Sequence, residues 1–276
     1  MNLLYGVDCA VLKDIDPARY LALARACIAE VMETAFHEWR RPKSRTDGAL
    51  VFLWKDLRAG AGWGIVDLSG RPKSAWYALR RACQPEQLLL TDEGVNGLHL
   101  HVVNETQSAQ NLFITMECMT ESGDIVASGE AGLSLGTRQS RTLTGAELLG
   151  AFFDVNYAYK FGARAHDIVV ARLNDRPTSE NISEVYFFPG GRGSVQYDNG
   201  LKVELLEQND SFSLNISCRR FAQTVAIDDE YFRPADNYFH LAPGRVRCIR
   251  LERIGENRCR PSGIVSSLNG LDVARY

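Results

Sequence analysis

GALVFLWKDLRAGAGWGIVDLSGRPKSAWYAL, residues 48–79, is the stretch from which the fold is read. It opens with an unbroken apolar run from Ala49 to Trp54 and passes through a charged, glycine-rich turn holding Lys55, Asp56, Arg58, Gly60 and Gly62. It then resumes with Trp63 and a short apolar run ending at Asp67. Helical patterns lie on both sides. An apolar run bounded by turn residues is what a strand covered on both faces requires, as in the parallel sheet of an α/β barrel. In such barrels the loop leaving the strand's C-terminal end faces the active site, which places Trp54, Lys55 and Asp56 there.

Upstream, Asp16-Pro17 opens a helix: aspartate suits the N-cap, and proline at the first helical position loses no hydrogen bond. Leu21, Ile28, Met32, Ala35 and Trp39 follow at helical spacing, which predicts an amphipathic helix resting on that face and ending near Pro42. Helix, strand, loop and a second helix from about Lys73 amount to one unit of a barrel that needs eight.

From Gln84 the pattern changes to short segments with alternating faces, such as Leu98, Leu100, Val102 and Leu112, Ile114, Met116, Cys118. About seven strands are expected over residues 84–190, the number in an immunoglobulin-like sandwich, with a helical turn near 146–153. After the linker Pro189-Gly-Gly-Arg-Gly193 comes a second, smaller series of about six strands over 191–254, beginning with one at 194–197. Residues 255–276, rich in Pro, Ser and Gly, read as loosely attached coil. The fold class expected is mainly β: two immunoglobulin-like sandwiches over 84–190 and 191–254, preceded by an α/β fragment over 1–83.

Composition narrows the function. A net charge of −3 with scattered Lys and Arg gives no nucleic-acid or acidic-membrane signal, and Arg40-Arg41 and Arg219-Arg220 read as solvated pairs. No run is long enough to span a bilayer, and the first twenty residues lack a signal-peptide pattern, so a cytoplasmic chain is expected. Seven widely spaced cysteines without a CxxC read as free thiols. No cofactor motif is found: Gly190-Gly-Arg-Gly193 lacks the strand-to-helix context of a phosphate loop. His99 and His101 share one side of a strand, but with no third ligand they read as a solvent-facing pair and not a metal site. Asn104-Glu-Thr106, Asn181-Ile-Ser183, Asn209-Asp-Ser211 and Asn215-Ile-Ser217 read as chance glycosylation sequons.

The order of residues 48–79, with Trp54-Lys55-Asp56, the Gly-Ala-Gly-Trp63 loop and Asp67-Leu-Ser-Gly-Arg-Pro-Lys73, resembles the last barrel strand and helix of glycoside hydrolase family 2, in its β-mannosidase branch. Phe187-Phe-Pro-Gly190 and Asp236-Asn-Tyr-Phe-His-Leu-Ala-Pro-Gly244 resemble signature segments of that branch's two C-terminal sandwiches. The resemblance implies a retaining glycosidase working with two glutamates about 5 Å apart. It places both upstream of residue 48, one in an Asn-Glu pair that residues 1–47 do not contain. Glu30, Glu33 and Glu38 fall on a helix outside the barrel, so no catalytic residue is expected in this chain.

What remains of a pocket is its floor. Phe52, Trp54 and Trp63 offer flat faces for a sugar ring, and Asp56 could accept hydrogen bonds from sugar hydroxyls. Core packing is the competing reading; it is preferred for Trp39 and Trp76 and evenly matched for Trp54 and Trp63. The family commonly has Asn at Lys55 and Trp-Pro at Arg58-Ala59, so the usual mannose contacts are altered. The partners implied are a β-mannoside-like carbohydrate and, through exposed strand edges, either the missing catalytic half or a second copy. The alternative is a non-enzymatic module whose sandwiches bind carbohydrate or dock a domain, with Tyr157, Tyr159 and Phe161 as the one alternating aromatic run, although packing is their expected fate.

Overall fold

The computed structural model describes residues 1–176, 181–193, 195–209, 211–256 and 259–276. Two compact units emerge: one comprises Met1–Glu30, Val51–Ala78 and Arg192–Tyr276, the other Val31–Leu50 and Leu79–Gly191. Two short helices, α1 (Asn2–Tyr5) and α2 (Cys9–Ile15), precede α3 (Pro17–Arg40), and α4 (Ser74–Ala82) follows later in the chain. Asp16 does cap α3, its carboxylate accepting the Arg19 N–H at 2.9 Å. The buried face of α3 is not the expected one. Leu23, Ala26, Ala29, Glu30, Phe36 and His37 are buried, whereas Leu21, Ile28 and Trp39 are exposed. The helix is apolar on two sides, so periodicity identified a real stripe, and the interior took the other one.

Residues 84–191 build the first sandwich. Seven strands, β1 (Glu86–Asp92), β2 (Leu98–Asn104), β3 (Gln110–Met119), β4 (Ile125–Leu135), β5 (Gln139–Thr144), β6 (Ile168–Asn174) and β7 (Ser183–Phe187), pair antiparallel in two sheets. The orders are β1-β2-β5 and β4-β3-β6-β7. Register follows the alternation: Leu88, Leu100, Val102, Ile114, Met116, Val169, Ala171 and Leu173 meet in one core. The short helix α5 (Gly145–Leu149) is fixed by a capping box, Thr144 and Glu147 each accepting the other's backbone N–H.

Residues 197–276 form the second sandwich, from β8 (Lys202–Gln208), β9 (Ser211–Ser217), β10 (Ala222–Asp229), β11 (Phe232–Pro234), β12 (Phe239–Leu241), β13 (Val246–Arg253), β14 (Gly263–Ser266) and β15 (Ala274–Arg275). The sheets run β11-β13-β9-β8 and β12-β10-β14-β15. The coil expected for 255–276 is therefore corrected: β14 pairs along β10, and Val265 is fully buried. Asn269 completes the attachment by accepting the Gln223 N–H and donating to the Phe221 carbonyl. Short polar residues hold the tail through directed hydrogen bonds, which apolar alternation cannot register. Ser194, within an expected strand, and Asp210, within an expected sequon, lie outside the described residues, and in place of a strand Tyr197 forms an isolated bridge to Gly270.

The basic pairs are not merely solvated. Arg40 and Arg41 bind Glu105 and Glu93, Arg219 binds Asp198, and Arg220 lies over the Tyr197 ring. Among the described residues no helix is long and apolar enough to cross a membrane.

Candidate functional site

Residues 48–64 depart most from expectation. The buried strand read at 49–54 is an extended segment in water: Leu50, Phe52, Trp54 and Trp63 are all exposed, Leu50 completely. The only ladder here is short. Ile65 and Val66 donate to the carbonyls of Leu53 and Trp54 at 3.0 Å, the Asp56 N–H reaches Val66 at 2.9 Å, and Lys55 bridges Val66 in parallel. A parallel strand buries both faces only when further strands flank it, and none of the described strands does.

Asp56 holds the turn closed. It is 3% exposed; Oδ1 accepts the Gly64 N–H at 2.7 Å and Oδ2 pairs with Lys73, whose ammonium also donates to the Gly62 carbonyl at 3.2 Å. The Lys73 hydrogen bond and the Gly64 N–H keep the carboxyl below the usual carboxylate range. The expected readiness of Asp56 to receive sugar hydroxyls is thus replaced by a turn-fixing role. Two glycines are dictated by it: a Cβ on Gly64 would lie 2.5 Å from the Asp56 nitrogen, and one on Gly62 would lie 2.2 Å from the carboxylate. Downstream, Asp67 accepts from Ser69 and from the Arg71 N–H, tying the next turn.

The structure brings Phe52 and Trp63 together edge to face, with centroids 6.4 Å apart, and presents Trp54 separately with two-thirds of its surface in water. Trp76 is half-buried against Tyr77, and Trp39, expected in the core, is 40% exposed. The acidic groups of α3 considered above are engaged: Glu30 receives the Tyr5 hydroxyl and pairs with Arg192, while Glu33 and Glu38 pair with Arg81 and Arg41.

His101 corrects another expectation. It is buried between Thr91 and Thr142, its Nε2 3.0 Å from one hydroxyl and its Nδ1 2.8 Å from the other. Burial, helped by His99, lowers its pKa to about 4. No cluster able to hold a metal exists among the described residues. Asn104, in the first sequon, is fully buried and donates to the carbonyls of Ser108 and Gly136. Of the aromatic run expected to pack, Tyr157 is half-buried while Tyr159 and Phe161 are exposed, and Phe152, which sequence reasoning did not single out, is exposed beside them. The signal available was a structureless run of polar and aromatic residues between α5 and β6.

Comparison with known proteins agrees with this architecture. A family model for the immunoglobulin-fold domain of mannosidases matches residues 197–269. The curated β-mannosidase B of Thermothelomyces thermophilus is 27% identical over 256 residues, covering 84% of this chain and 29% of that protein. Among solved structures, the β-D-mannosidase of Dictyoglomus thermophilum superposes with a TM-score of 0.73 at 19% identity, over 91% of this chain and 30% of the other. The exo-chitosanase of Amycolatopsis orientalis gives 0.67 at 15%, over 94% and 34%. The chain thus spans about a third or less of the proteins it matches. Residues 197–269 thus match the immunoglobulin-fold domain of mannosidases, the chain is similar to part of a β-mannosidase, and it shares its fold with part of these glycoside hydrolases.

Proposed function

We propose that this chain serves a β-mannoside-hydrolysing glycosidase as the closing wall of its barrel and as the two sandwiches that follow in sequence, and that by itself it does not catalyse. One observation carries the reading: Leu50, Phe52, Trp54 and Trp63 stand in water on a segment whose pattern demands covered faces. Exposed apolar edges of this kind mark an interface. Its occupant is the remainder of an α/β barrel, which supplies both catalytic carboxylates. In that setting Phe52, Trp54 and Trp63 present ring faces to the sugar, and Asp56, pinned by Gly64 and Lys73, holds their loop in shape.

The carboxylates present here argue for incompleteness. Retaining hydrolysis needs two carboxyls about 5 Å apart on either side of the bond. Asp56, Asp67, Glu30, Glu33 and Glu38 are each committed to a partner within the chain. The test is hydrolysis of 4-nitrophenyl β-mannoside and β-galactoside by the purified chain, beside Trp54→Ala. The expected result is no turnover above buffer from either protein. Turnover abolished by the substitution would show a carboxylate pair within the chain and sink the reading. A chain that instead runs as a stable dimer, with Trp54→Ser monomeric, would make a second copy the occupant.

A further inference from the structure

We propose that the C-terminal turns of α3 are an acid-released latch: they hold the sheet β1-β2-β5 while His37 and His101 are neutral, and leave it when both rings take up a proton. The device goes beyond the function proposed above and does not rest on it.

The latch is an interface whose polar groups are already in place. β1 is buried on both faces, with Leu88 and Leu90 in the sandwich core and Gln87, Leu89 and Thr91 on the opposite side. α3 reaches this sheet through three residues. Arg40 binds Gln87 and Glu105, Arg41 binds Glu93 at 2.7 Å, and the buried ring of His37 bonds the Leu90 backbone.

Neighbouring groups set each ring for its neutral form. The Thr91 hydroxyl donates its one proton to Glu93 at 2.7 Å, so it receives the His101 Nε2–H at 3.0 Å. His101 Nδ1 is then the acceptor of the Thr142 hydroxyl at 2.8 Å. A proton on Nδ1 would meet the hydrogen of that hydroxyl and turn it away. His37 is stricter. Its Nε2 is buried with no hydrogen-bond partner among the described residues, so a charged N–H there would lack an acceptor.

The surrounding charges do not undo this. His37 faces Glu33, Glu38 and Arg40 on its own helix, and Glu33 is held by Arg81 of α4. His101 faces His99 on its own strand, His37 and Arg41 from α3, and Glu93 just beyond β1. Glu147 of α5 lies near His99, and Glu38 and Glu93 both pair with Arg41. Burial outweighs the carboxylates: it lowers the pKa of both rings, that of His101 to about 4, from an ordinary value of about 6.5. The docked helix therefore refuses protons that the released helix accepts. Docking is complete above about pH 6.5 and weakens as the pH falls, and with two protons taken up the release constant rises by up to about a hundredfold per pH unit.

The experiment is hydrogen–deuterium exchange of the whole chain at pH 7 and pH 5, read by mass spectrometry and corrected for the pH dependence of intrinsic exchange. Peptides covering residues 31–41 should lose about tenfold or more in protection at the lower pH, while those covering β3 and β6 keep theirs. His37→Gln/His101→Gln should abolish the loss, and His99→Gln should leave it in place. His37→Gln alone, which keeps the bonds of His101 to Thr91 and Thr142, should show a shallower loss, with one proton taken up in place of two. Circular dichroism at pH 7 checks that each variant is folded. Protection at 31–41 that is indifferent to pH, that falls in step with β3 and β6, or that falls equally in the parent and in His37→Gln would overturn the proposal.

Discussion

The first sandwich and the segment 48–64 are both rich in large apolar side chains, yet one buries them and the other leaves them in water. Leu88, Leu98, Leu100 and Ile114 are fully buried because both sheets that cover them are encoded in one continuous stretch. Leu50, Phe52 and Trp54 have the same chemistry and stand exposed, on a segment whose backbone hydrogen bonds join residues 53–56 to 63–66. Apolarity states that a residue is to be covered; whether it is covered depends on which partners are present. Burial of a Leu or Phe side chain stabilises by about 1.5–3 kcal/mol, so a partner that covered the open segment would gain a comparable stabilisation per residue.

The sharpest way to break this comparison is truncation on both sides of it. Leu100→Ala should destabilise by about 2–5 kcal/mol, through lost transfer energy and a cavity. Leu50→Ala should fall within about 0.5 kcal/mol, as for ordinary surface changes. Urea unfolding curves decide it: a large cost at Leu50 would mean that the segment is already covered. A smaller effect is expected at the turn. Gly64→Ala places a Cβ against the Asp56 backbone and should cost about 1–3 kcal/mol, whereas Gly60→Ala meets no atom and is limited to backbone strain at φ 130°.

The sandwich should also carry a pH signature of its own between about pH 6.5 and pH 4. The ordinary histidine pKa is about 6.5, and burial lowers that of His101 to about 4. The unfolded chain then takes up a proton that the folded chain refuses. Stability is complete above about pH 6.5 and declines toward pH 4, by at most about 1.4 kcal/mol per unit. His101→Gln should flatten that slope when unfolding is followed from pH 7 to 4.5; an unchanged slope would assign it to other groups. The smallest effect is on solubility. Leu50→Ser with Phe52→Ser should reduce binding of a hydrophobic dye and leave the urea midpoint within error.

Legibility tracks the same contrast. The seven strands of the first sandwich were readable because alternation such as Leu112, Ile114, Met116, Cys118 reports a face that the chain itself covers. The second sandwich was readable through Phe212, Leu214 and Ile216, but its last two strands were not, since Gly263 to Asn269 attach through backbone pairing and the Asn269 amide. Helix α3 was found and its interior face missed, because Leu21, Ile28 and Trp39 form as good a stripe as Leu23, Ala26 and Phe36. At the candidate site the residue types were readable and their roles only in part. Asp56 looked like a ligand group, whereas Gly62, Gly64 and Lys73 convert it into a clasp. No local pattern encodes that conversion, since it depends on the chain turning back over eight residues.

The most direct test of the central claim, that residues 50–63 form an open interface, is acrylamide quenching of tryptophan fluorescence. All four tryptophans fall in the first eighty residues, and Trp54 and Trp63 are 64% and 79% exposed. The expected emission is red-shifted and dominated by an accessible fraction that Trp54→Phe/Trp63→Phe removes. A blue-shifted emission resistant to quencher, unchanged by dilution and by that pair of substitutions, would show the segment already covered within the chain and would contradict the account.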